Sequence, residues 1–230
     1  MSIDHKKRIL AVDTTTDISS ICLATESLVW FGNRNQSQQL LLNIEGLMKK
    51  REIDFSQLDG LAVVVGPGSY TGIRIGVSVV NAMGMVTNLP VKFVDGLRAQ
   101  AWLANDIYSV NDKIKLIYSL ISAGANRVYA RIYRRDDDEL SPAGDYSIGS
   151  IDQLISGDAQ DDDILVVGEI NDQVDNWLKS NGVGNIFRLT SDVKKGRAGA
   201  MEQHFSQLRV NKNNLAIPLY LRGAVSGHNN

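Results

Sequence analysis

The residues best placed for chemistry lie in a glycine-rich turn, Gly66-Pro67-Gly68-Ser69-Tyr70-Thr71-Gly72-Ile73-Arg74-Ile75-Gly76. It follows the apolar run Leu61-Ala62-Val63-Val64-Val65, read as a buried strand, and opens the small, apolar segment 77–85, read as a helix. A strand, a glycine turn and a helix N-terminus make a place where backbone N–H groups can face an anion. No Lys follows the glycines, so the pattern is not a Walker loop, and the spacing is not that of a dinucleotide fingerprint. Two readings stand at this point. The glycines serve only to reverse the chain and permit close packing, or the turn meets a ligand or partner.

The second candidate is Asp13-Thr14-Thr15-Thr16, at the end of the first strand. A carboxylate and three hydroxyls there can hydrogen-bond a phosphate, or they can close a tight hairpin. The corresponding turn of the second half, Ser122-Ala123-Gly124-Ala125-Asn126, carries no carboxylate. A phosphotransferase without that acid, and without a Lys, lacks the groups that orient magnesium and transferring phosphate. His5, His204 and His228 form no i, i+4 pair, which excludes a helical zinc site. No G-x-S-x-G elbow is present, and Ser69 stands in the wrong turn context for a nucleophile. The acidic runs 136–138 and 161–163 read as loops capped in water rather than metal ligands. Cys22 is the only cysteine, so neither an internal disulfide nor a cysteine zinc site can form. No cofactor and no metal are expected.

The elements that position these turns follow from periodicity. Strands are expected near 9–16, 18–24 and 27–32, followed by an amphipathic helix from Gln36 to Lys50, where Leu40, Leu41, Ile44, Leu47 and Met48 recur at three- and four-residue steps. Lys49, Lys50 and Arg51 close that helix as its dipole prefers. After the glycine-turn helix come a short strand, 90–94, and a helix, 97–104. Strands at 115–120, 127–134 and 139–148, a short helix at 151–155, a strand at 164–167 and a helix at 173–179 repeat the order. Gly72, Gly76 and Gly84 are spaced by multiples of four and share one side of their helix. Each costs roughly 0.8–1 kcal/mol against Ala in a helix interior, so another backbone is expected close by: the chain's own sheet, or a second subunit.

The repeated order strand-strand-strand-helix-strand-helix is that of actin-like α/β domains of the ribonuclease H kind. We therefore expect two duplicated lobes, 1–105 and 106–230. The 230 residues are 43% hydrophobic with a formal net charge of -2, enough for a sizeable core but not for holding nucleic acid by bulk electrostatics. The start of the chain lacks a signal-peptide core and no apolar run is long enough for a bilayer. A soluble, cytoplasmic protein with no membrane contact is expected.

The first-strand motif ending in Asp13-Thr14-Thr15-Thr16, the turn from Gly66 to Gly76, and Pro218-Leu219-Tyr220-Leu221-Arg222 together resemble the bacterial TsaB (YeaZ) family of tRNA threonylcarbamoyladenosine biosynthesis proteins, once grouped with glycoprotease-like proteins. The resemblance is strong over about the first 105 residues and returns at the tail motif. It implies an actin-like fold that has lost catalysis and left Asp13 to Thr16 as a vestigial phosphate turn. It implies pairing with a TsaD-like catalytic subunit, a TsaE-like ATPase joining the complex, and tRNA met only through that complex. The complex modifies the adenosine after the anticodon in tRNAs reading codons that begin with A. The implied contact helices are Gln36–Lys50 and 71–86, with Leu40, Leu41, Ile44, Leu47, Gly72, Ile73, Gly76, Val80, Met83 and Gly84 at the interface, and a homodimer through the same helices when alone. Gln36 stands where the family usually has His, and Ser122-Ala123-Gly124 where it often has Asp-Ala-Arg. The alternative is a stand-alone enzyme of the same fold, a peptidase or an ATP-dependent phosphotransferase.

Overall fold

The computed structural model describes residues 7–32, 35–109, 111, 113–124, 127–136, 139–154 and 163–221. The first strand, β1 (Ile9–Asp13), is buried along its whole length and lies inside a six-stranded sheet. β2 (Ile18–Leu23) returns antiparallel to it, Val12 opposite Ile21, and β3 (Glu26–Phe31) extends the meander. On the other edge of β1, β4 (Gly60–Val64) and β5 (Val91–Val94) run parallel, with Val12 opposite Val63 and Val63 opposite Phe93. The continuous apolar run of β4 is what a parallel strand covered on both faces requires.

Helices α1 (Gln36–Lys50) and α2 (Tyr70–Thr87) cover one face of this sheet. Leu40, Ile44, Leu47 and Met48 of α1 and Ile73, Val77 and Val80 of α2 join Leu10, Val12, Ile21, Leu61 and Val63 in one core. Each such side chain contributes roughly 1.5–3 kcal/mol on leaving water. Ser69 caps α2, its Oγ accepting from the Gly72 N–H, and Asn88 ends the helix in the left-handed region. Pro90 follows, and β5 begins at once.

The second sheet repeats the plan. β6 (Leu116–Gly124) and β7 (Arg127–Asp136) form its central antiparallel pair, and β10 (Ile164–Gly168) and β11 (Asn185–Arg188) run parallel beside β6. The stretch expected as one strand over 139–148 is two, β8 (Glu139–Pro142) and β9 (Ser147–Ser150), which pair with different ends of β7. Pro142, Ala143 and Gly144 break the run between them. The short helix α4 (Ile151–Leu154) and α5 (Asp172–Ser180) pack on this sheet through Ile151, Val174 and Leu178. Ile155, part of the expected short helix, lies outside the described residues, as do Ala125, Asn126, Asp137, Asp138, Asp161, Asp162 and Arg222.

Two helices sit where the sheets meet, and each belongs to the other's side. α3 (Gly96–Ile107) follows the first sheet but packs on β6, β7 and β10, while α6 (Arg197–Gln203) follows the second but packs on β1, β2 and β4. Trp102, Leu103 and Ala104 of α3 and Ala198, Ala200 and Met201 of α6 share one core with residues of both sheets. Beyond α6 the chain returns to the first sheet, where β12 (Arg209–Val210) pairs with β5. Of the expected second unit, 106–230, the tail thus pairs with the first sheet. The second sheet ends near Arg188, and a short, exposed, two-residue strand leaves no periodic signal in the sequence.

Candidate functional site

The glycine turn is a junction of three chain segments rather than an open anion nest. The Ser69 N–H donates to the Thr15 carbonyl at 2.6 Å, the Gly96 N–H to the Gly66 carbonyl at 2.8 Å, and the Leu219 N–H to the Val65 carbonyl at 2.7 Å. Gly66 and Gly68 have φ of 113° and 149°, and a Cβ on either would strike a carbonyl oxygen, that of Leu219 or Thr15. Pro67 lies buried between them behind a cis peptide bond. The tail motif meets the turn here. The rings of Tyr70 and Tyr220 lie 5.2 Å apart, with the Arg74 guanidinium 4.2 Å from the Tyr70 centroid. Two motifs about 150 positions apart in the sequence are thus one structural unit.

The glycine face of α2 points inward. A Cβ on Gly72 would collide with the Thr14 carbonyl, on Gly76 it would stand 2.6 Å from Thr14 Oγ1, and on Gly84 it would strike Val91. The close backbone is that of the Asp13–Thr16 turn, and Thr14 Oγ1 donates to the Gly72 carbonyl at 2.7 Å. Most residues of the expected interface therefore lie on this inward side. Leu40, Ile44, Leu47, Gly72, Ile73, Gly76, Val80 and Gly84 are buried in the chain's own core, because both helices use these faces to cover the first sheet. Leu41 is exposed and Met83 half-buried, as are surface residues the periodicity did not single out. Leu41 is 51% exposed, Leu42 54%, Met85 77% and Val86 88%, with Ala82 and Ser78 between the last two and the helix start. Leu41 and Met83 line a groove of ≈ 720 Å³ with Ile44, Met48 and Phe55. Exposed apolar side chains thus stand on both helices, Leu41 and Leu42 on α1 and Met85 and Val86 on α2.

Between the sheets runs a cleft of ≈ 630 Å³, lined from one side by Thr16, Ile18, Gly68 and Ser69 and from the other by Ser122, Gly124, Tyr129 and Glu169. Thr16 and Glu169 of this lining join a buried network behind it. Thr15 N–H and Oγ1 both donate to Asp13 Oδ1, at 2.9 and 2.7 Å. Arg197, fully buried, aims its Nε at Asp13 Oδ2 at 2.5 Å and its Nη2 at Glu169 Oε1 at 2.7 Å. Nη2 also donates to Thr16 Oγ1 and to the Ile18 carbonyl, and Nη1 to Gln100 Oε1 at 3.2 Å. Thr16 Oγ1 in turn bonds Glu169. Gln100 is fixed by donating to Ser119 Oγ and to the Leu120 and Val167 carbonyls. Burial opposes the charge on Arg197, but the carboxylates of Asp13 and Glu169 outweigh it and raise its pKa. Burial pushes the Glu169 carboxyl up, against the pull of Arg197 and Thr16.

Asp13 and Thr16 belong to this network, Thr15 bonds Asp13 and Thr14 bonds Gly72, while Arg197, Glu169 and Gln100 were missed in the sequence. Nothing in a lone Arg between Gly196 and Ala198 signals burial. Among the described residues no group of three or more His, Cys, Asp or Glu converges as a metal site, and no helix is long and apolar enough to cross a membrane. His204 caps the end of α6, stacked on Trp102 at 4.9 Å and 3.0 Å from Asp106.

Duplicated sheets with exchanged central helices around such a cleft define an actin-like protein of the ribonuclease H kind, here with a buried guanidinium bonded to Thr16 and Glu169 of the cleft lining. The family model for TsaD, tRNA N6-adenosine threonylcarbamoyltransferase, matches residues 31–217, and the chain belongs to that family. Within it the likeness is to TsaB/YeaZ proteins. The tRNA threonylcarbamoyladenosine biosynthesis protein TsaB of Haemophilus influenzae is 27% identical over 125 residues, 53% of this chain and 51% of that one. TsaB of Escherichia coli is 27% identical over 137 residues, 58% of each. The chain spans about half the length of the curated relatives it matches. A crystal structure from Pseudomonas aeruginosa, described as similar to peptidase YEAZ, superposes with a TM-score of 0.73 at 23% identity, over 94% of this chain and all of that one, and shares the fold. YeaZ from the same organism gives 0.69 at 22%.

Proposed function

We propose that this chain is a non-catalytic subunit of the tRNA threonylcarbamoyladenosine-forming assembly. It docks and orients a TsaD-like catalytic subunit through the outward face of α1 and α2. A TsaE-like ATPase joins the same complex in the cytoplasm, and tRNA is met through the complex as a whole. The family and the names of the relatives support a part in this tRNA modification. The observation that carries the scaffold reading is the coincidence of exposed apolar side chains on both helices, Leu41, Leu42, Met85 and Val86, with two acids at the cleft already engaged by the chain's own Arg197.

The energetics suit a docking surface. Covering four such side chains contributes roughly 1.5–3 kcal/mol each, against an association cost of about 4–15 kcal/mol. Affinity therefore rests on these few residues. A catalytic subunit held this way needs only a few kcal/mol of preference between its states to be kept competent. In the absence of that partner the same face serves an isologous homodimer.

Co-purification with the host's TsaD, followed by reconstitution of tRNA modification with and without this chain, tests the reading. Leu42→Asp combined with Met85→Arg is expected to weaken partner binding by at least about 100-fold while leaving the melting temperature unchanged. Normal binding by that variant, or tRNA modification by TsaD at full rate without this chain, overturns the proposal.

A further inference from the structure

Asp13, Thr16 and Glu169 come from opposite sides of the cleft and converge on one cation, the guanidinium of Arg197. Asp13 ends β1 of the first sheet, Glu169 follows β10 of the second, and Arg197 opens α6, which is packed on the first sheet. Gln100 on α3, the reciprocal central helix, holds the remaining guanidinium edge. Four elements, β1, β10, α3 and α6, are thus tied to one planar group. The Arg fork has five fixed donors and no freedom to lose its charge, so it is suited to such a node. A buried charge whose partners are withdrawn is left uncompensated, which makes opening costly.

We propose that Asp13, Thr16 and Glu169 form a cation site between the two halves and that Arg197 is its resident cation, a built-in clasp that holds the cleft at one width. In this arrangement the carboxylates that could otherwise orient a metal-bound anion are spent on keeping the halves together. The inference concerns only residues inside this chain and does not depend on the partner reading above.

The test uses the full chain in a Cys22→Ala background, with spin labels at Ser56→Cys and Gln173→Cys, exposed positions on the two halves. The labelled protein is expected to give a single narrow distance distribution. Arg197→Ala is expected to broaden it at least about twofold, because two buried carboxylates then lack a counter-charge. Millimolar guanidinium, but not urea at the same concentration, is expected to narrow it again by entering the vacated site. Should Arg197→Ala fail to fold alone, guanidinium-dependent recovery of its folded spectrum is the same readout. A neutral set, Asp13→Asn with Glu169→Gln and Arg197→Met, fills the space without charge and is expected to fold with a broad distribution. A narrow distribution in Arg197→Ala or in the neutral set, or broadening that guanidinium does not reverse, overturns the proposal.

Discussion

Cys22 lies buried on β2, and its thiol is pushed up to about 11, first by burial and then by the charge of Glu202. The ordinary value is 9.0, so between pH 9 and 11 the unfolded chain releases a proton that the native state keeps. Stability contributed by this group is intact below pH 9 and is lost as pH rises through 11. At about 1.36 kcal/mol per unit the loss is on the order of 2–3 kcal/mol. Urea unfolding at pH 8 and pH 10.5 is expected to show this slope in the wild type and a shallower one in Cys22→Ala. Alkylation of Cys22 at pH 8 is expected to proceed only as fast as the protein opens. At this scale the Asp13–Thr16 turn was legible, since a carboxylate and hydroxyls after a strand have few plausible uses. Arg197 and Glu169 were not legible, because their meaning depends on partners more than 150 positions away.

At the scale of elements, α2 shows what glycine spacing can and cannot tell. That something approaches closely could be read from Gly72, Gly76 and Gly84; that it is the Thr14 turn and Val91 could not. Gly72→Ala is expected to destabilise by about 1–3 kcal/mol, since the clash with the Thr14 carbonyl exceeds the gain in helix propensity. Gly46 on α1 is the control, because nothing lies within 4 Å of the position of its Cβ. Gly46→Ala is expected to stabilise by roughly 0.5–1 kcal/mol. Denaturation midpoints of the two variants measured side by side check both signs. The α1 pattern is amphipathic as read, and its buried stripe serves the chain's own sheet, but Leu41, which the three- and four-residue steps included, is exposed, as is Leu42 beside it.

For the whole molecule, the exchange of α3 and α6 makes the two sheets mutually dependent. The core beneath Trp102 and Met201 draws on both, and the tail returns through Asn81, whose side chain bonds the Ala216 N–H and carbonyl at 2.8 and 3.0 Å. We expect one cooperative unfolding transition by calorimetry rather than two. A fragment ending at residue 107 is expected not to fold, since α3 would leave its buried face in water and the first sheet would lack α6. A second calorimetric transition, or a soluble and folded fragment, would show that the halves are independent.

Local order decided what sequence alone could determine: strands, helices, their repeated succession, the polar turn after the first strand and the motifs that mark the family. These are set by neighbours a few residues apart, and hydrophobic periodicity and turn chemistry report them directly. Tertiary structure decided which face of α2 turns inward, which sheet each central helix covers, where the tail returns and what fills the cleft. Those outcomes come from contacts between distant segments, and a buried Arg, an inward glycine and an exposed Met carry no local mark of their surroundings.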